Sequence, residues 1–225
     1  MIELIAEVGN CHFGSLKKFK DMIRIAKECG ADKVKGQAIL GRPHGGTMSN
    51  AFYQSVELRA PDYLEAIHYG ELIGIPVFYS IFSEHLSWLY MHQNFHKVSA
   101  GKMLNLPWSV VDRDNIYASI NEASFSQIGG AQDLRCTLFY ATPYMADSIN
   151  FERLVSISKC ANKFGLSDHT IGIGLAVKAK EFGITAVEKH FTLVKDFSYD
   201  GHIFRDTVHA ATPEQFGALA RELKK

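Results

Sequence analysis

Eight short, apolar segments alternate along the 225-residue chain with helix-like or helix-sized connections. A helix-sized connection brings the chain back to the same end of a sheet, so the two strands that it joins run parallel. Parallel strands of this kind form either a closed (β/α)8 barrel or an open doubly wound sheet. The first strand leads into VGNCHFGS, which lacks the GxGxxG spacing of a dinucleotide-binding turn, so the pattern favours an α/β, (β/α)8 TIM barrel.

The apolar spacing and the Gly and Pro positions predict the element boundaries. The predicted strands are 2–8, 32–37, 75–80, 95–99, 115–119, 134–141, 165–166 and 185–190. The predicted helices are 15–30, 61–73, 83–92, 107–113, 122–128, 151–164, 171–182 and 213–223. Residues 38–60 form a long polar connection, typical of a functional lid or a disordered loop. The length is near the lower end for this fold, and we expect residues 1–225 to form a single domain.

The charge and cysteine content limits the classes of partner. Lysine plus arginine equals aspartate plus glutamate at 24 each, so the net charge favours neither nucleic acid nor an anionic membrane as a partner. The four cysteines form no CxxC pair, which is typical of a reduced, cytoplasmic protein. We find neither a signal peptide nor an apolar run long enough to span a membrane.

Two histidines follow the ends of neighbouring predicted strands. His169 lies in SDHT and His190 in EKHFT, one strand–helix–strand unit apart, so both are expected at the carboxyl-end face. Neutral imidazole suits manganese, iron, zinc or copper, and the pair could share one divalent ion; the alternative is a structural, hydrogen-bonded role. Barrel closure would bring Glu7 beside them, where it could bind the metal or orient the loop 9–14.

Two lysines predict a local anion site. Lys35 and Gln37 lie two positions apart on the second strand, so their side chains share a face, and Lys97 lies on the fourth strand. A lysine inside a barrel needs an anionic partner, which a bound phosphate or carboxylate would supply, with Ser80 and Ser167 as hydroxyl donors. The alternative for Lys97 is a solvated position at the edge of the sheet.

These segments together resemble a known family. IAEVGNCHFGS, GADKVKGQ, HKVSAGKMLNLP, GLSDHT and VEKHFTL are similar to the barrel domain of the sialic acid synthases, which join phosphoenolpyruvate to N-acetylmannosamine or related sugars. The resemblance covers most of the chain. It implies a divalent-metal enzyme, commonly using Mn²⁺, with Mg²⁺ or another divalent ion as alternatives. His169 and His190 would bind the ion, and the ion would polarise the sugar aldehyde.

The resemblance also implies roles for single residues. Phosphoenolpyruvate would be held by Lys35, Lys97, Ser80 and Ser167. Gln37 and Tyr144 would face the sugar, and Glu7 would position the attacking water. Asp200 lies one place from the family's sugar-binding aspartate, and His202 corresponds to a histidine that follows it.

The chain departs from the family pattern at several positions. Where the family reads KIASGD or KIGSGE, residues 97–102 read KVSAGK, so Ala100 replaces a serine that contacts phosphoenolpyruvate and Lys102 replaces an acidic residue. Family members usually continue into an antifreeze-like domain that supplies an arginine to the partner subunit. We expect a homodimer, or a separate chain that supplies this domain; Arg205 could substitute for that arginine or be a surface residue. His12, His44 and His209 are expected on the surface or in loops.

Three functions remain open. The first is the metal-dependent condensation of phosphoenolpyruvate with an N-acetylated aldose to give a nonulosonic, sialic-type acid and phosphate. The second is a divergent, non-catalytic or partner-dependent barrel subunit that binds a phosphorylated or sugar ligand, as Ala100 and Lys102 suggest. The third is a metal-dependent aldolase or sugar isomerase, which the same residue types would also suit.

Overall fold

Eight parallel strands close into a barrel in the order β1 to β8, with β8 pairing with β1, which confirms the (β/α)8 TIM barrel. The structure is a computed structural model that describes residues 1–40, 48–100, 113–121, 124, 134–146 and 148–225. The barrel strands are β1 Glu3–Gly9, β2 Lys33–Ala38, β3 Val77–Ile81, β4 His96–Val98, β5 Ile116–Ile120, β6 Leu134–Ala141, β7 Ala161–Asp168 and β8 Ala186–His190. A small antiparallel hairpin is formed by β9 Ser198–Tyr199 and β10 His202–Ile203.

Helices connect most of the described strands. The α-helices are α1 Leu16–Glu28, α2 Asn50–Val56, α3 Ala60–Ile73, α4 Phe151–Ile157, α5 Gly174–Ala179, α6 Arg205–His209 and α7 Pro213–Leu223. Short 3-10 helices are formed by Glu84–Met91, Arg113–Asn115 and Lys180–Phe182. In the part of the chain that the structure describes, no helix has both the length and the apolar character needed to cross a membrane.

Capping residues determine where α1 and α7 begin. The Ser15 hydroxyl accepts a hydrogen bond from the backbone N–H of Lys18 at the start of α1. Thr212 and Gln215 form a capping box at the start of α7, where Pro213 occupies the first turn. Both helices lie where the sequence predicts them.

Three predicted elements differ from the structure. The predicted helix 151–164 is wrong in its second half, because α4 ends at Ile157 and Ala161–Asp168 form β7, which pairs with both β6 and β8. The polar connection 38–60 contains α2, which is capped by Ser49 and buries Phe52. The segment 83–92 is a 3-10 helix. The predicted helices 107–113 and 122–128 lie mostly outside the described residues.

The two-residue repeat of the strands places the site above an apolar layer in the barrel interior. The barrel interior contains a buried cluster of Ile5, Phe78, Tyr117, Phe139 and Ala186. Two positions further along the same five strands stand Glu7, Ser80, Ser119, Ala141 and Glu188. Side chains at i and i+2 lie on the same face of a strand, so this second layer also points inward, one level nearer the carboxyl ends. The apolar layer therefore closes the barrel beneath a mainly polar one.

Candidate active site

A cavity of ≈ 650 Å³ opens at the carboxyl ends of the strands, where active sites lie in barrels of this type. Its walls consist of Glu7, Lys35, Gln37, Ser80, Phe82, Lys97, Ser99, Ala100, Ser119, Asn121, Ala141, Thr142, Pro143, Tyr144, Ser167, His169, Glu188 and His190. All of the predicted site residues except Asp200 and His202 are in this wall. Their individual roles stay predictions.

A buried charge network forms the floor of the cavity around Glu188. Its carboxylate lies 2.9 Å from the Lys97 ammonium and 3.6 Å from that of Lys35, and it accepts a hydrogen bond of 2.8 Å from the Ser167 hydroxyl. Lys35 also pairs with Glu7 and lies 3.1 Å from the Ser80 hydroxyl. The alternative of a solvated edge position for Lys97 is wrong, since its side chain is 3% exposed.

Burial and charge shift the pKa values of this network in different directions. Desolvation raises the pKa of Glu7 to about 7, although the neighbouring Lys35 ammonium opposes the shift. For Glu188, desolvation is outweighed by Lys35 and Lys97, which together lower its pKa to about 2. Desolvation lowers the pKa of Lys97 to about 8. Glu7 is therefore the carboxyl group of the network that can exchange a proton near neutral pH.

Barrel closure places Glu7 between a lysine and a histidine. In the strand register Glu7 lies opposite Lys35 of β2 on one side and opposite His190 of β8 on the other. Gln37 donates a 3.4 Å hydrogen bond to the Glu7 carboxylate and accepts one of 2.9 Å from the Asn10 amide. The predicted meeting of Glu7 with the carboxyl-end histidines is confirmed, and a chain of amides orients its carboxylate.

Three imidazoles cluster beside this network. The ring centroids of His169 and His190 are 5.3 Å apart, and that of His209, at the end of α6, lies 4.5 Å from His190 and 5.7 Å from His169. The Tyr144 ring packs against His169 and His209 at 4.7 and 5.2 Å. The Nδ1 atom of His169 lies 2.9 Å from the Thr142 carbonyl oxygen, which can only accept, so Nδ1 carries the proton and Nε2 keeps its lone pair.

The three imidazoles are neutral at pH 7. Desolvation lowers the pKa of His169 to about 4, that of His209 to about 3 and that of His190 well below its ordinary value of 6.5. Neutral imidazole is the form that binds a metal ion.

A buried ion pair fixes the ends of the two histidine-bearing strands. The Lys189 ammonium lies 3.0 Å from the Asp168 carboxylate, and both side chains are fully buried. Asp168 also accepts hydrogen bonds from the Thr170 backbone N–H and hydroxyl, at 2.8 and 2.6 Å. His169 and His190 each neighbour a member of this pair in the sequence, so their backbone positions are well defined.

The segment after β8 supplies two residues that the sequence did not indicate. His209, which we expected on the surface or in a loop, is 0% exposed. One ligand atom from each of His190, Asp206 and His209 can be chosen so that all three lie within 4.8 Å of one another. The only available signal was the i, i+3 spacing of Asp206 and His209, and a five-residue helix gives too short a pattern to detect.

Other predicted residues lie apart from the cavity or outside the described residues. Asp200, at the turn of the β9–β10 hairpin, and His202 are exposed. The acidic residue from this segment that lies close to Glu7 is Asp206. Both carboxylates approach Gly9, since a Cβ atom added there would lie 3.3 Å from Glu7 Oε1 and 3.5 Å from Asp206 Oδ2. The surface alternative for Arg205 is confirmed, because this residue is exposed.

Four further positions from the sequence predictions are buried, line the cavity or lie outside the described residues. His12, expected on the surface or in a loop, is 1% exposed and packs against Phe19 with ring centroids 5.1 Å apart. Ala100 lines the cavity. His44 and Lys102 lie outside the described residues.

The sequence profile of the NeuB family matches residues 114–225, which include the histidine-bearing strand ends and the α6 segment. The chain belongs to the NeuB family. It is 27% identical to human N-acetylneuraminate-9-phosphate synthase over 88% of this chain and 64% of that protein. It is 28% identical to the N,N'-diacetyllegionaminic acid synthase of Campylobacter jejuni over 88% of this chain and 70% of the relative. The chain therefore spans about two thirds of the length of these NeuB-family relatives.

The barrel fold is also found in a solved structure. The sialic acid synthetase of Leptospira borgpetersenii, solved in complex with citrate, superposes with a TM-score of 0.82 at 23% identity, covering 99% of this chain and 82% of that one. At this identity the likeness shows the barrel fold, while the assignment to the NeuB family rests on the sequence comparisons.

Proposed function

We propose that this NeuB-family protein condenses phosphoenolpyruvate with an N-acetylated aldose, forming a nonulosonic, sialic-type acid and phosphate. The observation that supports this most directly is a pair of buried ammonium groups, Lys35 and Lys97, at the floor of a cavity whose wall contains neutral imidazoles. Two relatives are named as synthases of acids of this class. A single cavity thus offers an anion site beside a set of metal-ligand groups.

The anion site would hold phosphoenolpyruvate through charge-assisted hydrogen bonds. Lys35 and Lys97 share the Glu188 carboxylate, and each retains donor capacity because an ammonium group has three N–H bonds. The Ser80 and Ser167 hydroxyls lie beside them as further donors. Both lysines are expected to be protonated at pH 7, so the bound phosphate and carboxylate would meet two positive charges in a site that excludes much of the water.

The residues of the histidine cluster fit a divalent ion. His169 donates its Nδ1 proton to a backbone carbonyl, as metal-binding histidines commonly do, and the Nδ1 atom of His190 is buried without a hydrogen-bond partner in the described structure. We propose that His169 and His190 hold the ion, with Mn²⁺ as the expected metal. When bound, the ion would supply Lewis-acid polarisation of the sugar aldehyde.

The remaining steps require groups that the chain itself supplies. C3 of phosphoenolpyruvate forms the new bond to the aldehyde carbon, whose oxygen takes up a proton, and water then adds at the resulting cationic C2. Glu7, with a pKa of about 7, is suited to accept the proton of that water, and Gln37 orients its carboxylate. The tetrahedral carbon then releases phosphate by breaking its C–O bond. Tyr144, which lines the cavity and packs on His169, would face the sugar.

The alternative of a non-catalytic or partner-dependent subunit has one supporting observation. Ala100 lines the cavity at the position of a family serine that contacts phosphoenolpyruvate, so one donor to the anion is missing. Assembly as a homodimer, or with a chain that supplies an antifreeze-like domain, is part of the proposal. Light scattering with and without such a partner chain would test it.

Phosphate release tests these proposals together. The protein is incubated with phosphoenolpyruvate, Mn²⁺ and a panel of N-acetylated hexosamines, with His169→Ala as the blank and His85→Ala, an exposed histidine, as the matched control. Release that requires both the sugar and His169 supports the synthase. Absence of release from folded, metal-loaded protein favours the partner-dependent subunit. Sugar turnover without phosphoenolpyruvate favours the aldolase or isomerase.

A further inference from the structure

We infer that His209 and Asp206 are additional ligands of the metal ion and complete, with His169 and His190, a set of three histidines and one carboxylate. The inference rests on the metal site of the proposed function and extends it. A third nitrogen ligand beside His169 and His190 favours a late first-row divalent ion, such as Co²⁺ or Zn²⁺, more strongly than Mn²⁺ or Mg²⁺. His209 therefore determines which ion the site prefers.

Backbone contacts hold α6 over the end of β8. The Ala211 N–H donates a 2.7 Å hydrogen bond to the His190 carbonyl, and Phe191 and Ala211 form an isolated parallel bridge. The chain therefore returns to the carboxyl end of β8 directly after α6. Asp206 and His209 are three residues apart on this short helix, so their side chains project from the same side.

The three side chains meet closely enough to share one ion. Their chosen ligand atoms, one from each residue, all lie within 4.8 Å of one another, and the His190 and His209 ring centroids are 4.5 Å apart. An ion bonded to nitrogen and oxygen at about 2.0–2.2 Å separates its ligand atoms by at most about twice that distance. In tetrahedral geometry the ligand atoms lie about 3.5 Å apart, so the three atoms would approach one another by up to about 1.3 Å on binding.

The histidine nitrogens lack other partners. Neither ring nitrogen of His209 makes a hydrogen bond of normal geometry in the described structure, although the Arg205 carbonyl is nearby, and His190 Nδ1 is also unpartnered. Both residues are buried, at 0% and 4% exposure. A buried polar group left without a hydrogen-bond partner is destabilising, so these nitrogens indicate a ligand that the protein chain itself does not supply.

Metal titration of the full chain, freed of metal with EDTA, tests this inference. Calorimetry gives the Co²⁺ and Mn²⁺ affinities, and the visible Co²⁺ spectrum reports the ligand set. His209→Phe keeps a ring of similar shape, Asp206→Asn keeps the size of the carboxylate, and His68→Phe, at an exposed position, is the matched control. Circular dichroism and thermal unfolding check the fold of each variant.

We expect His209→Phe to weaken Co²⁺ binding by about 100-fold or more and Mn²⁺ binding by less, because loss of a ligand exceeds the 10–100-fold effect of an outer-shell partner. Asp206→Asn should weaken both and change the Co²⁺ spectrum, while His68→Phe should match the original protein. Unchanged Co²⁺ affinity and spectrum in both folded variants would overturn the inference, leaving a packing role for His209.

Two further variants separate this inference from the proposed function. Loss of metal in His169→Ala and His190→Ala, with His209→Phe unaffected, supports the two-histidine site and refutes the wider set. Retention of stoichiometric metal in both alanine variants refutes the metal site of the proposed function itself. Comparable losses of metal affinity in His169→Ala, His190→Ala and His209→Phe support the inference.

Discussion

Acidification from pH 7 to pH 5 should destabilise this barrel, and His12 provides a measurable part of the effect. Burial lowers the pKa of His12 to about 3 from an ordinary 6.5. Its Nδ1 accepts a 3.1 Å hydrogen bond from the Gly14 N–H, which requires the neutral ring. Between these pH values the unfolded chain binds a proton that the folded barrel does not. The contribution of His12 is therefore present above about pH 6.5 and is lost as the pH falls toward 3.

Integration of this proton uptake gives a loss of about 2 kcal/mol in the free energy of unfolding between pH 7 and pH 5 from His12 alone. His12→Gln keeps a hydrogen-bond acceptor but does not titrate. Urea unfolding, followed by circular dichroism in EDTA at both pH values, should show a pH-dependent loss that is about 2 kcal/mol smaller in this variant.

The comparison between pH values removes the constant effect of altered packing in His12→Gln. His68→Gln, at an exposed site, should keep the full pH dependence of the original protein. The other buried histidines add to the loss in both proteins and cancel in the difference. Equal losses in His12→Gln and the original protein would refute the assignment of His12 as a buried neutral base.

Three further predictions concern the site and the barrel. Lys97→Met should weaken phosphoenolpyruvate binding by about 10–100-fold, because it removes one charge-assisted hydrogen bond. The Lys97 ammonium, with a pKa of about 8, loses its proton above pH 8. Calorimetry should therefore show that the affinity of the original protein falls above pH 8 and that the affinity of the variant does not. Lys102→Glu should raise the rate of phosphate release if its ammonium blocks the family chemistry, and no gain in a folded variant would contradict this. Gly165→Ala should lower the free energy of unfolding by about 2 kcal/mol or more, since its Cβ would lie 2.3 Å from the Ala186 carbonyl oxygen; Gly174→Ala, with open space around it, is the control, and an equal effect of both would refute the steric reason.

The spacing of apolar residues was sufficient to predict those helices and strands whose pattern repeats clearly. The two-residue period placed Lys35 and Gln37 on one face, and closure of eight parallel strands brought Glu7 to His190. The same reasoning failed where two periods overlap. The apolar positions of α4 continue through Ala161 at helical spacing, so the start of β7 was assigned to the helix, although pairing with β6 and β8 determines its actual conformation.

The partners within the site could not be predicted, because pairing depends on residues far apart in the sequence. No role was predicted for Glu188, yet it is the carboxylate between Lys35 and Lys97. The signal for His209 was too weak to use, since its i, i+3 spacing with Asp206 lies on a helix of only five residues. Only the three-dimensional return of α6 to β8 reveals what it contacts.

The pairing of the first strand with the eighth has a consequence for how the protein is made. Lys97 is a buried residue of β4, and its carboxylate partner, Glu188, lies on β8. Strand β8 is the last barrel strand to be synthesised. Until then a nascent barrel must keep that ammonium in water, because burying it unpaired is costly. Insertion of β8 therefore seals the barrel, neutralises the floor of the cavity and brings His190 to Glu7 in one event. A fragment without this strand should leave the barrel open and lack both the Glu188 carboxylate and His190.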